Sequence, residues 1–312
     1  MTQSSGELFD LGYQHYDGPR EGRMRARKAV FMNGVRTTLG LGHGSSAKVL
    51  PILLFGAALA PAIILALVAS QVDILADALP KHSDYYQIVS IILLLFSAII
   101  GPELLCPDRR NGVISLYLVR PLTPTDYVAS RWAAFFSITL VLVYSGQIVL
   151  LVGLVLASND PADYLRDNWL DIPRILGAGF LVALFTTTIP LAVAAFTNRR
   201  AYAAAFVIGL FIISAAFSGA LTQCEDNSPD RGSGNDSGEC QRWTGDAAKW
   251  FVLIDLGRVP TNVNAMIFDD EDGGGRSALA AKLPAIVPIG WYLLLTAGPA
   301  LLLWQRYRRM AL

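Results

Sequence analysis

The chain has 312 residues, of which 53% are hydrophobic and only 16% charged, and its 25 basic and 25 acidic side chains cancel. With a mean hydropathy of +0.44, it is too apolar and too sparsely charged for an ordinary soluble domain. The charge balance also leaves no basic excess for a nucleic-acid partner.

The apolar residues are gathered into six runs: Val49–Ser70, Ile88–Leu105, Phe135–Ala157, Ile175–Ala195, Ala201–Leu221 and Leu283–Leu303. Each is close to the ~20 residues that a helix needs to cross a bilayer. The pattern predicts an all-α integral membrane protein with six transmembrane helices. Residues 1–48 form a cytoplasmic N-terminus, and 49–221 hold the first five spans with a cytoplasmic loop at 102–132. Residues 222–282 are an enlarged extracytoplasmic loop, and 283–312 hold the sixth span and a basic tail. On the side of the N-terminus fall 16 of the 25 Lys and Arg but only 7 of the 25 Asp and Glu, or +9 against −9. The positive-inside rule therefore puts both termini in the cytoplasm of a multi-pass cell-membrane protein.

In chain order, the long polar and basic stretch before Val49 lacks the layout of a signal peptide. Within it, Met24, Phe31, Val35 and Leu39 fall near one helical face, with Arg20, Arg23, Arg27 and Lys28 largely elsewhere. This predicts a basic amphipathic helix on an anionic lipid surface. Gly40–Lys48 fails the P-loop spacing and reads as a flexible hinge, so the chain carries no recognisable nucleotide site of its own.

Between the second and third spans lies "DRRNGVISLYLVRPLTPTDY". Asp108 can cap a helix. Val113, Leu116 and Tyr117 give that helix an apolar face, and Pro121 ends it near Arg120. Thr123-Pro124-Thr125-Asp126 then reads as the capping box of a second helix running through Arg131 into the third span. A short helix with an apolar face and exposed arginines suits docking into another protein's groove.

The spans contain no ionisable residue in their interiors, and His15, His43 and His82 form no metal or catalytic cluster. Gln147 and Thr186–Thr188 read as interhelical or backbone hydrogen-bonding groups. The acidic loop Ser158–Arg174 lacks calcium-loop spacing and reads as a solvated face. In the last outer loop Cys224 and Cys240 suit a disulfide. Ala247, Trp250, Phe251 and Ile254 there suit a short interfacial helix. Cys106 reads as a plain thiol at the membrane boundary.

The segment "DRRNGVISLYLVRPLTPTDYVASR" resembles the cytoplasmic coupling segment of ABC type-2 transporter permeases. Asp108, Gly112, Leu116, Pro121 and Arg131 match its acidic residue, glycine, helix, proline stop and basic opening of the third span. "LGYQHYDGPREGR" is similar to the N-terminal lead of one bacterial branch. The resemblance implies an exporter permease that works as a dimer, with a copy of itself or a paralogue. Two cytosolic ATPase subunits, which bind ATP and Mg, would drive it. Val113, Leu116 and Tyr117 would enter the ATPase groove, with Glu103, Arg109, Arg110 and Arg120 as a polar rim. Phe96, Phe211 and Phe217, on the second and fifth spans, would line the substrate path. The alternatives are a non-transporting assembly or sensor subunit with the same partner, or a membrane-embedded lipid-modifying enzyme.

Overall fold

The computed structural model describes residues 22–41, 45–71, 82–114, 117, 122–158, 160–223, 244–268, 279–280 and 282–310. Among these there is no strand. Six helices are long and apolar enough to cross a membrane, and the chain is a multi-pass helical membrane protein. A surface helix, α1 (Arg23–Thr38), precedes the spans α2 (Ser45–Gln71), α3 (His82–Arg110) and α4 (Pro124–Ala157). A short α5 (Pro161–Asp167) leads to the spans α6 (Asp171–Ala194) and α7 (Arg200–Leu221). A nine-residue α8 (Val259–Ile267) precedes the sixth span, α9 (Ile286–Met310).

Two spans overrun their apolar runs at the end of the bundle that carries α1, hereafter the basic end. Helix α3 continues to Arg110 through Pro102 and Pro107. Helix α4 starts at Pro124, eleven residues before the apolar run, and its 34 residues reach about 51 Å. Its start is the expected capping box: the Thr123 side chain accepts from the Asp126 N–H, and Asp126 accepts from the Thr123 N–H.

Close approach rests on small residues, as membrane bundles require. Gly146 of α4 lets Tyr85 of α3 pass beside it, and the Tyr85 hydroxyl donates to the Ala58 carbonyl of α2 at 2.9 Å. A Cβ at Gly146 would overlap that hydroxyl. Gln147, one residue on, accepts from His82 Nδ1 at its Oε1 at 2.9 Å, and its Nε2 donates to the His82 carbonyl at 3.2 Å. Thr186 and Thr188 donate to carbonyls one turn back, Val182 and Leu184. Aromatic stacks, such as Phe96 on Phe135 at 5.8 Å, fill the centre.

Helix α1 lies along the bundle. Its buried stripe is Val30, Gly34 and Thr38, packed on α4, while Met24 is 74% exposed. A Cβ at Gly34 would stand 2.7 Å from the Ala134 Cβ, so the two helices touch nearly backbone to backbone. Gly40 at φ 66° ends α1: the N–H of Leu41 bonds the Arg36 carbonyl and that of Gly40 bonds Thr37. That is a left-handed glycine cap, and residues 42–44 of the expected hinge lie outside the described residues.

The segment after α7 departs from expectation. Single-turn helices at Gly245–Ala247, Ala248–Phe251, Val252–Ile254 and Leu256–Arg258 replace one interfacial helix. Ala248, Val252 and Leu253 are buried, whereas Ala247 and Trp250 are exposed. The segment turns into the bundle. Thr244 bonds the Leu221 carbonyl at the end of α7. The Leu256 N–H then bonds Ser214 Oγ, seven residues back along α7, about 10 Å deeper. A Cβ at Gly257 would lie 3.9 Å from Phe211, deeper still. Helix α8 then runs back with Val259 to Asn264 all buried against α3, α6 and α9, and Phe268 reaches Tyr86 near the start of α3. The result is a re-entrant hairpin with Asp255–Arg258 at its tip.

Candidate functional site

The basic end gathers the motif residues into one connected node. Helix α3 closes with a left-handed glycine. Gly112 has φ 66°; its N–H bonds the Arg109 carbonyl, and the N–H of Val113 bonds that of Asp108. Asp108 therefore sits in the last turn of a span and does not cap a new helix. Its Oδ2 accepts from the Tyr127 hydroxyl at 2.6 Å and from Arg131 Nη2 at 2.7 Å. Arg131 is only 2% exposed, and its guanidinium lies 5.7 Å from the Tyr127 ring. Its Nε and Nη1 find no partner among the described residues. Both Arg131 and Asp108 line a cavity of about 450 Å³ between α1, α2 and α3, roomy enough for water to serve those nitrogens.

Each neighbouring helix is fastened to this node. Arg109 donates to the carbonyls of Ala194, Ala195 and Thr197, satisfying the free C-terminus of α6. Glu103 pairs with Arg200 at the start of α7 at 2.7 Å. Asp126, already in the capping box, also takes Arg23 and Arg27 of α1. Asp126 holds the Arg23 guanidinium pKa above its ordinary value by this hydrogen bond. Trp304 of α9 donates to Thr125, and the ring of the buried Tyr307 lies tilted against Tyr127 at 5.8 Å. Cys106 is a buried free thiol beside the Ala194 and Thr197 carbonyls.

The link to the loop is Tyr117. The Tyr117 N–H bonds the Val113 carbonyl at 3.3 Å, and the Tyr117 ring lies 5.5 Å from Tyr127. Tyr117 and Ile114 are thus half-buried on the chain's own core. Of the expected docking face, Val113 is half-buried, while Leu116, Arg120 and Pro121 lie outside the described residues. Of the expected rim, Glu103 and Arg109 are engaged within the chain and Arg110 is exposed. Cys224 and Cys240 also lie outside the described residues.

A second site lies at the tip of the hairpin. A groove of about 420 Å³ runs between α3, α7 and the tip, with Leu94, Ile208 and Phe211 in its wall and Gln87, Ser90, Asp255 and Arg258 among its polar groups. Phe211 belongs to it. Phe96 does not, because its ring is buried on Phe135 on the side of α4. Phe217 is 56% exposed and points out of the bundle. Sequence reasoning missed Asp255 and Arg258, which enter from a loop rather than on a span. The one signal was a short apolar stretch, "WFVLIDLGRVP", too brief to span yet too apolar for a solvated loop.

No protein-family model matches the chain, and no curated protein matches it.

Proposed function

We propose that the chain is the permease subunit of an ATP-driven exporter, moved by cytosolic ATPase subunits that grip the segment after Gly112. The basic end is then cytoplasmic. The observation that carries the reading is the fastening of that segment to the node. Displacement of Val113–Tyr117 is passed through Tyr127 to α4 and α9, through Asp108 to Arg131, and through Arg109 and Glu103 to α6 and α7. Such a chain of packed rings and charge-assisted bonds is the physical form that long-range coupling takes. The resemblance of "DRRNGVISLYLVRPLTPTDYVASR" to ABC type-2 coupling segments supplies the partner. ATP and Mg belong to that partner, and a second permease subunit completes the path.

Docking and coupling are separate tasks in this reading. Leu116 serves the ATPase, and Tyr117 transmits inward. Leu116→Asp is expected to strip the ATPase from the purified complex. Tyr117→Ala is expected to leave it bound but to reduce cargo-stimulated ATP hydrolysis about tenfold or more. An intact complex with normal stimulation in both variants overturns the reading. Retention of the ATPase with no cargo movement in the wild type favours a sensor subunit.

A further inference from the structure

We infer that the groove at the hairpin tip binds a single-chain anionic amphiphile, its hydrocarbon tail against α3 and α7 and its head on Arg258. This deepens the export reading by naming a class of cargo, and it rests on that reading only for calling the ligand cargo.

Three observations carry it. The first is depth. The Leu256–Ser214 bond and the Gly257–Phe211 approach put the tip about 10–15 Å below the end of α7. An ionisable pair at that level within the bundle is costly and marks a functional site by default.

The second is the sign of the charge on offer. Asp255 and Arg258 are 3.5 Å apart, a loose pairing, with side chains 5% and 37% exposed. The carboxylate is turned into the protein, where its Oδ1 accepts from the Gly257 N–H. The more exposed charge of the pair is the guanidinium, whose planar fork fits a carboxylate or phosphate.

The third is shape. The groove lies at the small end of the ~300–1,000 Å³ range of small-ligand sites. Its wall is Ile91, Leu94, Leu95, Ile208, Phe211 and Ile212. Ile91 and Ile212 are 66% and 62% exposed, so it opens sideways, where a tail slides in from the bilayer. Volume leaves room for one chain beside one head group.

The test uses the full chain in zwitterionic nanodiscs, without ATPase. Three photoreactive probes with the same diazirine-bearing alkyl tail carry a carboxylate, a phosphate or a neutral glycerol head. Labelled peptides are mapped by mass spectrometry. Saturable labelling by the two anions at 87–95 and 208–215 is expected, about tenfold tighter than for the neutral probe. The stronger anion identifies the head. Arg258→Gln is expected to erase that preference. Ile212→Trp, which fills the groove without touching the tip, is expected to remove labelling by all three probes. Equal labelling by neutral and anionic probes, or unchanged preference in Arg258→Gln, overturns the inference. So does exclusion of every probe while Ile212→Cys forms chain-to-chain disulfides, which would make the groove a contact between copies. Loss of the ATPase partner in the experiments above would sink the export reading and leave this binding result standing.

Discussion

The two ends of the bundle solve opposite problems. At the basic end the charged side chains at the junctions are bonded across helix boundaries: Asp126 to Arg23 and Arg27, Asp108 to Arg131, Glu103 to Arg200, and Arg109 to the end of α6. At the other end a chain of single turns dips into the bundle. The side-chain nitrogen and oxygen of Asn262 and Asn264 are buried with no partner among the described residues. Buried polar groups are nearly always bonded to protein or ordered water, which points to internal water around α8. The contrast is between an end whose helices are tied to one another by charged side chains and an end closed by a loop that folds back between them.

The largest expected effect comes from cutting the node. Asp108→Ala strands the buried Arg131, and removing one partner of such a pair costs about 3–5 kcal/mol. Thermal unfolding in detergent measures it. A loss of under about 1 kcal/mol would mean that water in the adjoining cavity compensates the arginine, and the node would be softer than described.

Next comes Gly146→Ala, whose methyl group would collide with the Tyr85 hydroxyl and break its bond to Ala58. Overpacking of this kind costs about 1–3 kcal/mol. Ala at the open Gly209 of α7 is expected to leave stability unchanged or raise it slightly. Equal effects at the two glycines would deny the close packing of α2, α3 and α4.

Smaller again is Asp126→Ala, which removes the acid of the capping box and the anchor of α1, for about 1 kcal/mol. Hydrogen exchange should rise in Arg23–Thr38 and leave α8 alone. Spread of the effect to α8 would erase the distinction between the two ends.

The smallest expected effect is at His82, in the first turn of α3 and ahead of its membrane-spanning stretch Tyr85–Arg110. Burial pushes its pKa below the usual value, against the Gln147 hydrogen bond. The unfolded imidazole takes a proton near pH ~6.5 and the folded one only at lower pH. Its contribution to stability is therefore present above that value and is lost as pH falls toward the folded pKa. His82→Gln should flatten this part of the acid dependence of the unfolding temperature. An unchanged slope would show that another group titrates there.

What the sequence disclosed follows from range. The six spans are long apolar runs, and the Thr123–Asp126 capping box is a four-residue pattern, so both are legible. Asp108 reads as a cap because it precedes an apolar turn. In the fold α3 runs through Pro107, and the carboxylate finds Tyr127 and Arg131, about twenty residues on. The stripe of α1 that meets the bundle was not legible for a similar reason: the closely packed α4 selects Val30, Gly34 and Thr38. Asp255 and Arg258 were hidden most deeply. They sit in a loop by composition, and distant contacts draw that loop inward, among them Leu256 to Ser214, 42 positions apart, and Trp291, which donates to Leu253. The apolar interior read from the spans is thus incomplete, because its charges arrive from outside them.

The most direct test of a force entering at the basic end is a photoreactive residue in place of Val113, activated in native membranes. The account predicts an adduct with a nucleotide-binding chain, formed in high yield and lost with Leu116→Asp. Adducts with lipid alone, or an ATPase adduct that persists when Leu116 is charged, would contradict it.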